Sequence, residues 1–245
     1  MLIGIDVGTT AVKAALFDEA GHALRHFGET YPTLRPEPGH VEQDPKIWMD
    51  LVTKALFELS QNHSIKAIGL CSQVNTHVFV DQNLEALRPA FTWQDTRCAA
   101  DAASLDSKID INDKIKWWGA PLPIDASHML ARMAYIARTA PDLWARTHYV
   151  LAPKDYCLAA LTGEVIADPM THFGILDQSL SLIDPLLDLL QGAKARVPKI
   201  APFTKQIGFI KQGLPCAGVP IVTGAMDAWS GLFGAGVSED GQGLY

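Results

Sequence analysis

Within the first thirteen residues, MLIGIDVGTTAVK, a carboxylate, two hydroxyls and an amine crowd around one glycine: Asp6, Gly8, Thr9, Thr10 and Lys13. The flanks are apolar, with Ile3, Ile5 and Val7 alternating before the turn and Val12, Ala14, Leu16 and Phe17 following it. An acid between Ile5 and Val7 at a strand end costs desolvation unless it finds a partner. A bound polyphosphate would provide one. Turn N–H groups and hydroxyls donate to phosphate oxygens, a lysine adds a point charge, and a carboxylate can hold the waters of a magnesium ion. Gly8 would let the backbone come close and adopt a positive φ. The Walker pattern GxxxxGK[ST] is absent. The plainer alternative is a tight hairpin whose threonines simply favour β structure, but it leaves Asp6 without a reason.

The rest of the chain must position these groups. Its 245 residues suffice for one large domain or two small ones, and 48% apolar with 19% charged residues fits a folded core. A net charge of −7, with no run of Lys or Arg, argues against nucleic-acid and anionic-membrane partners. Cys71, Cys98, Cys157 and Cys216 lie far apart and form no CxxC pair, so a zinc framework is not expected. The chain enters a strand at once, which reads as no signal peptide. The longest apolar stretch, 221–237, contains Asp227 and is no membrane span. These features together suggest a cytoplasmic protein.

A third strand is expected over 23–31, then a Pro-rich loop, then a helix opened by Asp44-Pro45 with Trp48, Leu51, Val52, Ala55, Leu56 and Leu59 on one face. Strands follow at 65–70 and 78–80. The order β-β-β-α-β matches the first half of a ribonuclease H-like, actin-type ATPase fold. The middle reads as helical at 127–138, 141–147 and 153–161, the last stopped by Thr162-Gly163. Near the end, a short buried strand at 219–223 runs through Gly224 to Asp227, with a helix expected over 228–236.

The stretch GIDVGTTAVKAALFD (4–18) resembles the first phosphate motif of the FGGY family of carbohydrate kinases. Heat-shock chaperone ATPases share DxGTT but lack the lysine and the LFD-like strand end. Three further stretches resemble the same family: IGLCSQVNTHVFVD (68–81) its sugar loop, RPAFTWQDTR (88–97) its Trp-x-Asp-x-Arg segment, and VLAPKDYCLAALTGE (150–164) its Pro-Lys-Asp-Tyr helix. The likeness runs in order from residue 1 to about 237 and is strongest to xylulokinases. It implies an α/β fold with a ribonuclease H-like mixed sheet and flanking helices. Residues 1–245 would be the single N-terminal domain of a two-domain kinase, whose C-terminal adenosine-binding domain is missing from the chain.

The resemblance also implies roles. Asp227 sits where the family places its catalytic base, although aspartate is equally at home as a helix cap, and sequence physics leaves those two even. ATP and Mg²⁺ are the implied cofactors, with Asp6, Gly8, Thr9, Thr10 and Lys13 at the phosphates and Asp6 at the metal. Sugar recognition would fall to Gln73, Asn75, Trp93 and Asp95, with Trp93 stacking on a carbon face and Asp95 accepting hydroxyl hydrogen bonds. Arg97 would orient Asp95. His77 reads as an ordinary strand-end histidine, and Arg132 and Tyr135 as structural.

Where xylulokinases carry Met-His and Asp-Asn, this chain has Val74-Asn75 and Asp227-Ala228. A ketopentose such as xylulose leads as substrate, with another ketose or a polyol as the alternative. No second phosphate loop or purine pocket can be placed. A truncated chain, inactive alone, is therefore expected rather than a natural half-protein. A non-catalytic sugar-binding or regulatory half-domain and an actin-like ATPase stay open. The residues leave oligomeric state undecided, a homodimer included.

Overall fold

Alternation builds the first strand. In the computed structural model, which describes residues 1–237 and 239, Ile3, Ile5 and Val7 of β1 (Leu2–Val7) are buried while Gly4 and Asp6 lie on the half-exposed side. The remaining residues of the C-terminal segment, 238 and 240–245, where the domain was expected to end, lie outside the described residues. β2 (Ala11–Phe17) pairs antiparallel with β1, and β3 (Ala23–Thr30) closes that edge of the sheet. α1 (Pro45–Ser60) then carries the chain across, so that the strand Ala67–Ser72 runs parallel to β1 on its other side. The Asp44 carboxylate caps α1 by accepting from the Lys46 N–H at 2.9 Å, and Pro45 starts its first turn. Trp48, Val52, Ala55, Leu56 and Leu59 are fully buried on its inner face.

The main sheet runs Gln206–Phe209, Pro220–Val222, Ala67–Ser72, β1, β2, β3, with Ala225–Met226 also pairing onto Ala67–Ser72. This is the expected ribonuclease H-like mixed sheet with flanking helices. Two features differ from expectation. The strand Val78–Val80 stays out of this sheet and pairs antiparallel with Tyr149–Leu151. It is apolar on both faces because it separates two cores: Val78 and Val80 join the core of the main sheet, and Phe79 joins a second. That second core gathers the helices Ala99–Asp106 and Met129–Thr139. The edge strand Gln206–Phe209 was not expected, and only Ile207 of its four residues is buried, too little pattern to read.

One glycine is decisive. Gly224 interrupts the strand between Pro220–Val222 and Ala225–Met226 with φ +69, and a Cβ there would lie 1.8 Å from the Leu70 carbonyl oxygen. Only glycine lets the chain pass that close and still resume pairing. The carboxyl ends of β1, Ala67–Ser72 and Ala225–Met226 consequently reach the same end of the sheet, where open α/β sheets hold ligands.

Candidate active site

At that end, β1 places Asp6 opposite Lys13 of β2 and beside Cys71 of the neighbouring parallel strand. Cys71 pairs on its other side with Ala225, two residues before Asp227. Burial, and next the Asp227 carboxylate, push the Asp6 carboxyl above its ordinary value, and the Cys71 thiol and Lys13 only partly offset them. Cys71 is pushed up to about 12 by burial and by the Asp6 charge, so it remains a thiol and donates to Asp6 Oδ1 at 3.7 Å. Two carboxylates thus share one corner, and among the described residues the exposed Lys13 is the cation that acts on Asp6.

The turn after β1 is braced from inside. Gly8 O accepts from the Tyr31 hydroxyl, and Thr9 O accepts from Gln43 Nε2 at 2.8 Å. Gln43 is itself held by Gln73, whose Nε2 donates to Gln43 Oε1 at 2.8 Å. With these carbonyls drawn inward, the N–H groups of Thr9 and Thr10 meet no backbone acceptor among the described residues. That is the pattern of an anion-binding nest. Gly8 does not take the positive φ expected of it. Its smallness serves another end, since a Cβ would meet Asp6 Oδ2 at 3.2 Å and Ala11 O at 3.3 Å.

Beside the turn opens a cleft of about 560 Å³ lined by Thr9, Gln73, Asn75, Trp93, Asp95 and Asp227, joined by Asp125 and Ser127. Trp93 is 47% exposed, and its indole N–H donates to Thr9 Oγ1 at 3.0 Å, which ties the aromatic wall to the turn. Gln73 and Asp95 are each 1% exposed and engaged within the chain. Asp95 accepts from the Val41 N–H at 2.7 Å and from Arg97 Nη2 at 2.7 Å, with Arg97 Nε 3.0 Å from both its oxygens. Its acceptor sites are therefore largely filled by protein donors. Asp227 opens the helix Asp227–Gly234, and its Oδ1 accepts from the Ala228 N–H at 2.7 Å.

Behind the cleft lies a guanidinium that is 0% exposed. Arg132 Nη1 donates to Asn75 O and to Phe91 O at 2.8 Å, Nη2 donates to Thr92 O, and Nε reaches Ala126 O at 3.4 Å. These carbonyls adjoin the cleft residues Asn75, Trp93 and Asp125, so one side chain fixes three loops together. Burial lowers Arg132 only to about 10, which keeps it charged at neutral pH. Its Nη1 also meets His77 Nδ1 at 2.9 Å, and burial followed by the Arg132 charge holds His77 well below its ordinary value.

A second buried cation holds the chain just before Gly224. Lys154 Nζ, fully buried, contacts Asp155 at 2.5 Å and Asp168 at 2.7 Å and donates to Thr223 O at 3.2 Å, immediately before Gly224. Burial raises the Asp155 carboxyl, but Lys154 and His172 outweigh it and hold the group below its ordinary value.

The residues singled out in the sequence are thus brought to one place: Asp6, Gly8, Thr9, Thr10 and Lys13 on the hairpin, and Gln73, Asn75, Trp93, Asp95 and Asp227 around the adjoining cleft. Sequence reasoning missed Gln43, Asp125 and Ser127, and it gave Arg132 no link to the site. One signal was available, a charge on the face that buries Met129, Leu130, Met133 and Ile136.

The likeness to known proteins agrees with this geometry. The FGGY family of carbohydrate kinases, N-terminal domain, matches residues 1–234. The xylulose kinase of Escherichia coli (strain K12) is 27% identical over 258 residues, which takes in 100% of this chain and 52% of that protein. The crystal structure of ligand-bound xylulose kinase from Lactobacillus acidophilus is similar at a TM-score of 0.86 and 27% identity, over 96% of this chain and 50% of that one. Gluconate kinase from the same organism gives 0.84 and 28%, over 93% and 48%. The chain spans about half the length of the relatives it matches. The chain belongs to the FGGY family of carbohydrate kinases through that family's N-terminal domain.

Proposed function

We propose that the chain supplies the sugar site and catalytic base of an ATP-dependent carbohydrate kinase, which transfers the γ-phosphate to a hydroxyl of a sugar or polyol. The observation that carries this reading is the meeting of Asp6, Lys13 and Asp227 at the mouth of a cleft walled by Trp93 and Asn75. A ketopentose such as xylulose leads as substrate, because relatives named xylulose kinase span the whole chain. The adenosine site belongs to a C-terminal domain beyond this sequence, and the working compartment is the cytoplasm.

Trp93 presents its exposed face to the sugar carbons, and the Asn75 carboxamide, Ser127 and Asp125 meet its hydroxyls. Asp95 and Gln73 act one step back by holding the loops. Asp227 accepts the proton of the attacking hydroxyl as the new O–P bond forms, and ADP leaves with the electron pair of the broken bond. Asp227 stands in the first turn of the helix Asp227–Gly234, facing the cleft. Lys13 and the Thr9–Thr10 amides and hydroxyls cradle the phosphates. The Asp6 carboxylate fits Mg²⁺, which takes one or two carboxylates and completes its shell with water and phosphate oxygens. Bound there with ATP, it would neutralise phosphate charge.

The test is Asp227→Asn in the full product of the gene. The amide keeps size and some hydrogen bonding but cannot take the proton, so turnover should fall by about 10²–10⁴-fold while sugar affinity changes little. Near-normal turnover would make Asp227 a helix cap only.

A further inference from the structure

We propose that the substrate cleft continues past Asn75 into a second chamber, where His77 reads a neutral hydroxyl at the far end of the substrate. The inference rests on the carbohydrate-kinase reading above and adds a substrate feature to it. The chamber has a volume of about 220 Å³, and Asn75, Asp125 and Ser127 line both it and the cleft. At about 30 Å³ per water, it has room for a hydroxylated chain end. Its apolar wall includes Leu122, Met129 and Ile175.

The polar atoms on its wall are unusually specified. His77 is 4% exposed, and its Nδ1 faces Arg132 Nη1 at 2.9 Å. A guanidinium only donates, so Nδ1 is the acceptor and Nε2 must carry the hydrogen. No hydrogen bond within the described residues uses that N–H, and His77 lines the chamber. The His77 N–H on one wall and the Asp125 carboxylate on the shared wall suit a group that both accepts and donates, and a hydroxyl does both. A carboxylate fits worse. Asp125 stands on the shared wall, and the Arg132 fork is spent on carbonyls.

The test is titration calorimetry of the chain with glycerol, xylitol and D-gluconate. His77→Asn is the informative variant, because its Oδ1 can still accept from Arg132 while the Nε2–H is lost. Xylitol affinity should fall about 3–10-fold, the loss of one hydrogen bond, while glycerol, too short to reach the chamber, is unaffected. Leu122→Trp, at a rim residue 43% exposed, narrows the chamber from outside and should give the same split even if His77→Asn folds poorly. Unchanged xylitol binding in both variants, equal losses for glycerol and xylitol, or gluconate binding tighter than xylitol would overturn the inference. Trp93→Ala separates the two readings. If it weakens all three ligands while the chamber variants do nothing, only the chamber is wrong. If none of the three binds the parent chain, the carbohydrate cleft falls, and the chamber with it.

Discussion

Gly224→Ala should be among the most damaging small substitutions in this chain. Two costs combine. Alanine at φ +69 occupies the left-handed region, at about 1–2 kcal/mol for a residue with a Cβ. The new methyl would also sit 1.8 Å from Leu70 O, a backbone atom in the central strand that cannot swing aside. Forced overpacking of this kind costs about 1–3 kcal/mol. The sum, about 2–5 kcal/mol, is a large share of the roughly 5–15 kcal/mol by which a domain is stable. At about 2–4 °C per kcal/mol for a chain of this size, the melting temperature should drop by roughly 4–20 °C. Thermal unfolding followed by circular dichroism reads this directly. Gly231→Ala is the matched control, since it lies in the helix Asp227–Gly234 with nothing within 4 Å of the added methyl, and it should be neutral or slightly stabilising. A Gly224→Ala melting temperature within about 2 °C of the parent would refute the argument that this glycine sets the path to Asp227.

Other outcomes follow from the same geometry. Arg132→Lys keeps the charge but loses the fork, stranding at least one of the Asn75, Phe91 and Thr92 carbonyls at about 1–3 kcal/mol; denaturant titration should show this, and the kinase should show a raised sugar KM more than a lowered kcat. Trp93→Ala should lose sugar affinity with little change in melting temperature, because the ring is 47% exposed; a large thermal loss with affinity retained would make it a core residue. Asp6→Asn should raise the melting temperature at pH 7. The folded carboxyl titrates above its unfolded value, so its contribution is present below the unfolded pKa and lost as pH rises through the folded one. The advantage should therefore vanish below about pH 4, and equal melting curves at pH 7 would contradict it.

What is local was legible in the sequence. Asp44-Pro45 announced α1, Thr162-Gly163 marked the stop of the helix Pro153–Thr162, and alternation through Ile3, Ile5 and Val7 marked the first strand. The clustering of Asp6 with Lys13 follows from hairpin register alone. What stayed hidden depends on partners far along the chain. Gln43 and Gln73 brace each other across 30 residues, and Arg132 reaches Asn75 across 57. Asp95 illustrates the limit from the other side: its type suggested a hydroxyl acceptor and Arg97 was expected to orient it, but only the fold shows that the Val41 N–H and a forked Arg97 together fill its oxygens. The strand Val78–Val80 was correctly read as a strand, and its partner was not, because an all-apolar triplet carries no face to assign.

That triplet has a consequence for how the molecule comes apart. Val78 and Val80 belong to one core and Phe79 to the other, and the partner strand repeats the arrangement with Leu151 and Val150. Neither core can melt without stripping one face of the same short ladder. The two should therefore open as one cooperative unit rather than as separate foldons. Arg132 binds the cleft loops at Asn75 and Thr92 to Phe91 of the second core. Their mutual spacing is consequently protected by the barrier that guards both cores.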